Sequence, residues 1–394
     1  MPLALPSPWR LPLHLALLAG LVVLAIVSAS VTLGFSYRYL APQLALRFDG
    51  DNSAALAALA QQQLTDARTP ADRAEAGRNA VAALRRDPTS TGAVSTLGLV
   101  ADANGDKRRA ARLMAYSAGI SHRDLATRLW LIEEAVNRGD VRGALRHYDV
   151  ALRTSNTAPT LLFPVLVSAA EDPELAGPIA DLLAQRPEWG VAYLDQMTGR
   201  GNPVATAALF AALARRGAPP RPELEPVVAQ RLLEAGRIDA AWNMFSALHP
   251  DRARSRLRDP GFAANVVAPT LFDWQLASSY DVSATPAETD AGKGLSVAGD
   301  ATESGAAARQ LVRLPPGRWQ LRWRIVGDAS AAEAARWEWA CAAGASATAA
   351  APVTATTLTF TFPAGCEGGW LTLQAPANEP PIAVTIAGLS LSPA

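Results

Sequence analysis

The residue types that carry most protein chemistry are thinly spread through this 394-residue chain. It has four histidines: His14, His122, His147 and His249. None has a second histidine, a cysteine or a paired carboxylate at metal-ligand spacing. The two cysteines, Cys341 and Cys366, both lie beyond the last histidine. That argues against a metal site and for a disulfide, with two free buried thiols as the alternative. No Gly-rich phosphate loop and no nucleophile elbow is present. The C-terminal part carries Asp273, Asp281, Asp300 and Glu338. A glycosidase needs two such carboxylates facing one bond, which a sequence does not reveal. Isolated surface carboxylates are the plainer reading, and a glycan-active enzyme is kept as the lesser alternative. The expectation is a protein without catalysis of its own and without a cofactor. Lys plus Arg balances Asp plus Glu at 36 each, so no nucleic-acid partner is expected.

The remaining chemistry-bearing side chains are aromatic. Six of the ten tryptophans lie between Trp274 and Trp370. Trp319, Leu321, Trp323 and Ile325 alternate with Gln320, Arg322 and Arg324, which is the pattern of a half-buried strand. Trp337, Trp339 and Cys341 likewise oppose Arg336 and Glu338. Leu358, Phe360 and Phe362 alternate with threonines. These rings are expected in a core, because large rings chiefly supply buried area. Trp274 and Trp370 fall outside the clean alternation and are the candidate ligand-binding rings. Short strands with Gly and Pro between them predict an antiparallel β-sandwich over residues 262–394, with "LRDPG" (Leu257–Gly261) as its boundary.

A Phe followed by "FDW" at the start, "PPGRWQLRW" in the middle and "IAVTIAGLSLS" at the end resemble jelly-roll carbohydrate-binding modules. The resemblance implies glycan binding by a ring stacked on a sugar face. It also implies a structural place for Trp274 in the first strand. The competing reading makes the module a cap or a dimerisation domain with all its tryptophans in the core. A Cys341–Cys366 bond would close a loop worth roughly 3–4 kcal/mol in the chain-entropy model.

Before residue 258 the chain reads as helix after helix, with a period of 34. Asp72, Asp106 and Asp140 share it, as do Ala76, Ala110 and Ala144. Glycine is expected to end the first helix of each repeat and aspartate to cap the second. "LGLVADANGDKRRAARLMAYSAG" and "LWLIEEAVNRGDVRGALRHYDVAL" resemble the tetratricopeptide repeat family, which has this period and two helices per repeat. The resemblance is clearest over residues 57–158, although Ile132 stands where a small residue is usual. It implies a helical solenoid over 52–258, whose concave face binds envelope partner proteins. Arg78, Arg112 and Arg146, also 34 apart, are the candidate partner-binding face; a merely solvated row is the alternative. A solenoid serving only as a spacer is the other reading of the helices.

The first segment, Leu15 to Phe35, holds no charged residue and is long enough to span a bilayer. Trp9 before it and Phe35, Tyr37 and Tyr39 at its end suit the two interfaces. Residues 1–39 are therefore read as a single-pass anchor, with a cleaved signal peptide as the alternative. A cysteine pair in one small domain favours an oxidising compartment. The Ala- and Arg-rich composition suggests a bacterial inner-membrane protein with its C-terminal domains in the periplasm. The whole is expected to be a multidomain α plus β scaffold: a transmembrane helix, a tetratricopeptide-like solenoid and a jelly-roll β-sandwich. Surface polysaccharide assembly or export is its expected setting, with cell-surface polysaccharide as a partner.

Overall fold

The computed structural model describes residues 10–290, 292–300, 303–327, 332–344, 347–378 and 381–394. Trp9, expected at a membrane interface, lies outside the described residues. Within them, fourteen α-helices precede ten β-strands. The first helix, α1 (Arg10–Tyr37), has an apolar stretch, His14–Tyr37, with mean hydropathy 2.5. That stretch is long and apolar enough to cross a membrane, and its apolar window is not buried by the rest of the chain. A short helix, α2 (Pro42–Phe48), follows.

The remaining helices follow in twos along the chain. They are α3 (Ser53–Asp66) with α4 (Pro70–Arg86), α5 (Thr91–Ala103) with α6 (Lys107–Ile120), and α7 (Leu125–Asn137) with α8 (Val141–Thr154). Then come α9 (Ala158–Ala169) with α10 (Pro173–Leu183), α11 (Gly190–Arg200) with α12 (Pro203–Arg215), and α13 (Leu224–Glu234) with α14 (Ile238–Leu248). The caps explain the repeat. Asp106 accepts from the Arg109 N–H at the start of α6, and Asp140 from the Gly143 N–H at the start of α8. Gly105 and Gly139 take φ of +84° and +70°, which reverses the chain before each cap. In the first pair the register slips. Thr69 is the cap of α4, and Asp72 sits at the third helical position, returning a bond to the Thr69 N–H as a capping box. The expectation that Asp72 matches Asp106 and Asp140 is therefore corrected. The small positions Ala76, Ala110, Ala144, Ala83, Ser117 and Ala151 are all buried. Gly98 on α5 leaves room for Met114, since a Cβ there would stand 2.8 Å from Met114 Cε.

The chain divides into two compact units, residues 1–162 and 163–394. In the first, α3, α5 and α7 stack side by side, with α4, α6 and α8 as their hairpin partners. In the second, α10, α12 and α14 form one row, and α11 packs beside α13. The division falls inside α9, far from the change of composition near residue 258. The last helices belong with the strands because they share an apolar core with them.

The strands are β1 (Gln275–Leu276), β2 (Val282–Thr289), β3 (Gly292–Gly299), β4 (Gly305–Val312), β5 (Gly317–Val326), β6 (Arg336–Gly344), β7 (Thr348–Pro352), β8 (Thr357–Phe362), β9 (Cys366–Ala375) and β10 (Ile382–Pro393). They form two five-stranded antiparallel sheets, β1-β4-β9-β6-β7 and β2-β3-β10-β5-β8. Trp319, Trp323, Trp337 and Trp339 are buried between them. Trp339 of one sheet stacks on Phe360 of the other, with centroids 4.7 Å apart. Cys341 and Cys366 form a disulfide joining the neighbouring strands β6 and β9.

Two adjacent glycines on β9 let structure approach from both sides. Neighbouring residues of a strand face opposite ways. A Cβ on Gly369 would lie 2.3 Å from Trp339 Nε1, within the space between the sheets. A Cβ on Gly368 would lie 3.2 Å from Ile238 Cγ2, on α14.

Candidate functional site

A cleft of about 580 Å³ lies in the second unit, where the helices give way to the strands. One wall is the segment after α14; the other is the β2–β3 hairpin with Glu288 and Lys293. Asp259 and Phe262 in that segment have φ of +47° and +53°, a conformation non-glycine residues rarely take. Local bonds hold them there. The Asp259 carboxylate accepts from the N–H groups of Ala263 and Ala264, at 2.9 Å each. The Asp259 carbonyl accepts from the Phe262 N–H at 3.0 Å and from Trp274 Nε1 at 2.9 Å. The Phe262 and Trp274 rings then pack at 4.9 Å.

Beneath the cleft a chain of polar groups ties four segments together. Glu225 of α13 meets His249 Nε2 at 2.7 Å, and His249 Nδ1 meets Arg252 at 3.3 Å. Arg252 donates to Asp273, whose other oxygen accepts from the Thr270 N–H at 3.0 Å and from its hydroxyl at 2.9 Å. Arg258 lies deeper. Its guanidinium donates to the carbonyls of Phe272 and Leu311 and stands near the rings of Trp242, Phe245 and Phe272. Burial, with help from Arg252, lowers its pKa to about 10, so it stays charged at neutral pH. Its charge is met by carbonyl dipoles, ring faces and nearby Asp273.

Trp274 is 8% exposed, forms part of the cleft wall and also touches Trp337 at 6.0 Å. Trp370 is half-buried against the apolar cluster of α12–α14, and Arg309 stands over its ring at 4.9 Å. Neither indole is an open platform, and the two are not brought together in one site. The carboxylates also have partners. Asp273 is bonded as described, and Glu338 takes bonds from Arg336 and Gln374. Asp281 and Asp300 are drawn together at one end of the sheets by a backbone bond of 2.7 Å. Arg78, Arg112 and Arg146 lie exposed on α4, α6 and α8.

Sequence reasoning passed over three features. Tyr280, 93% exposed in the turn between β1 and β2, is the most open aromatic side chain among the described residues of the β region. Its polar neighbours in "SSYD" were the available signal. Arg258 and Gln310 gave none, because what they bind is far away in sequence. Among the described residues no group of three His, Cys, Asp or Glu is placed to hold a metal ion. No family model matches the chain, and no curated protein matches it.

Proposed function

We propose that the protein is a membrane-anchored scaffold of the bacterial envelope. In this reading α1 spans the inner membrane and the rest of the chain lies in the periplasm. The helix pairs form tetratricopeptide-like arrays that hold partner proteins, and the strands form a jelly roll. The observation that carries the reading is the repeated hairpin of α3–α4, α5–α6 and α7–α8, whose first helices α3, α5 and α7 stack side by side. Such arrays present extended binding faces. The disulfide favours an oxidising compartment. The jelly-roll assignment is supported by nested pairing of β3 with β10, β4 with β9, β5 with β8 and β6 with β7. This is the order of one long hairpin rolled into two sheets.

Two faces are candidates for the partner. Arg78, Arg112 and Arg146 form one, on second helices. Val191 and Val227, 51% and 46% exposed on the adjacent first helices α11 and α13, form the other. Photo-crosslinking in cells from each face, in the full chain, tests the proposal. A reproducible partner from either face is expected; none from both would remove the scaffold reading.

For the β module, the geometry favours the capping role. The cluster shared by α12–α14, Phe272 and Leu311 covers the end of the helical array, which would otherwise expose apolar surface. The glycan reading rests on Tyr280 and the neighbouring Asp281, since Trp274 and Trp370 are covered. Titration of the full chain with envelope polysaccharide should change the signal of a Tyr280-site probe. A flat titration leaves capping as the module's role.

A further inference from the structure

The exit of α1 carries a second apolar surface that is not part of the span. Gly34 is buried because α2 and the turn after it fold back onto α1; a Cβ there would stand 2.8 Å from Asp49 Cβ and 3.6 Å from the Ala45 carbonyl. Pro42 and Ala45 form the covered side of α2. So α2 lies beside the last turns of α1, where Val31, Leu33 and Phe35 remain exposed. The outward side of this segment carries apolar residues beside the exposed Gln43 and Arg47. Leu40, in the turn before α2, is 82% exposed; Leu44 and Phe48, one helical turn apart on α2, are 37% and 40% exposed. Tyr39 is 68% exposed beside them. Arg38 stacks its guanidinium over the Phe35 ring at 3.3 Å and near Tyr39 at 4.9 Å. Arg47 is exposed on α2, while Asp51 is drawn off by Arg86 at 2.6 Å.

We infer that Tyr39–Phe48 lies in the head-group layer of the leaflet from which α1 emerges, with Leu40, Leu44 and Phe48 dipping toward the acyl chains. The inference rests on the reading of α1 as a membrane span. An apolar stripe at the level where a span leaves the hydrocarbon meets lipid as a continuation of the span's own surface. Aromatic rings and arginines at that level are the side chains interfaces favour. Arg47, exposed on α2, faces anionic head groups, to which basic residues are drawn. The segment then fixes the angle at which the first helix pairs leave the membrane.

The test uses the full chain in vesicles of phosphatidylethanolamine and phosphatidylglycerol. Cys341 and Cys366 are paired, so one introduced thiol can be labelled alone. An environment-sensitive fluorophore is placed in turn at Leu24→Cys, Leu44→Cys, Phe48→Cys and, as the solvent control, Arg112→Cys. Nitroxide-bearing lipid is the quencher. Blue-shifted emission and strong quenching at Leu24, Leu44 and Phe48, with neither at Arg112, is the expected result. Quenching at Leu24 with water-like emission at Leu44 and Phe48 overturns the inference and leaves the span standing. A blue shift at Leu44 and Phe48 without lipid quenching means that protein covers the stripe, and also overturns it. Water-like emission at Leu24 removes the span and the inference with it.

Discussion

Gln310 and the backbone of Arg258 hold each other by two hydrogen bonds of 3.0 Å. The Gln310 oxygen accepts from the Arg258 N–H, and its amide donates to the Arg258 carbonyl. Gln310 is completely buried, so these bonds have no competition from water. Through them the chain leaving the helices is paired with β4 as though it were a strand, while the side chain of the same arginine reaches the Phe272 and Leu311 carbonyls.

Gln310→Leu should cost about 2 kcal/mol, because it strands a buried donor and acceptor without removing their desolvation. Arg258→Met should cost at least as much, and Arg256→Met, at an exposed neighbour standing over the Trp319 ring at 4.9 Å, no more than about 1 kcal/mol. Thermal unfolding followed by tryptophan fluorescence and helical circular dichroism would check this. Both signals from the second unit should fall together. Equal melting of the Arg256 and Arg258 variants would contradict it.

At the paired glycines, Gly369→Ala should be worse than Gly368→Ala. The first drives a methyl into the buried Trp339 indole, whereas the second meets the side chain of Ile238. Overpacking of this kind costs about 1–3 kcal/mol. In a double-mutant cycle, Gly368→Ala should cost less in an Ile238→Ala background than in the native chain, and Gly369→Ala should cost the same in both. A reversed order of the two single variants would refute the assignment of faces.

Cys341 and Cys366 should resist alkylation until a reductant is added. Replacing both by serine should lower stability by about 3 kcal/mol in the chain-entropy model. The bond brackets β7 and β8, which belong to different sheets. Those strands should gain hydrogen exchange most in the reduced protein, and exchange spread evenly over α10–α14 would count against that.

His147 on α8 has its pKa held below 6.5, first by burial and then by Arg128 and Arg146; Asp140 opposes them and Arg138 adds a little. The unfolded chain therefore binds a proton more readily than the folded one. The stabilising contribution is complete above about 6.5, the ordinary histidine value, and is lost as pH falls through the lower folded pKa. The first unit should melt earlier as pH drops through this window. His147→Gln should flatten that dependence, and an unchanged slope would exclude His147 as its source.

What could be read in the sequence was local and periodic. Asp106, Asp140 and the glycines before them repeat a turn, and Trp319 to Ile325 alternates as one strand must. The slip at Thr69 was hidden because Asp72 keeps the 34-residue spacing while serving a different position of its cap. The composition change near residue 258 marks a switch of secondary structure, but not an edge of packing. Arg258 reaches Leu311, and Ile238 reaches Gly368, across stretches too long for any pattern to signal. The covering of Trp370 by Arg309 across strands is likewise a matter of register, which single-chain alternation does not supply.

The approach of Ile238 to Gly368 also bears on the order in which the chain can fold. A chain made from its N-terminus presents α14 long before β9 exists. Until the strands arrive, α14 rests on α12 and α13, but its Ile238 lacks the Gly368 surface, and the buried charge of Arg258 lacks its Leu311 carbonyl. The last helices would wait, half assembled, until the strands are made. A nascent chain stalled before β9 should thus be open to protease in α13–α14 while α3–α8 already resist it.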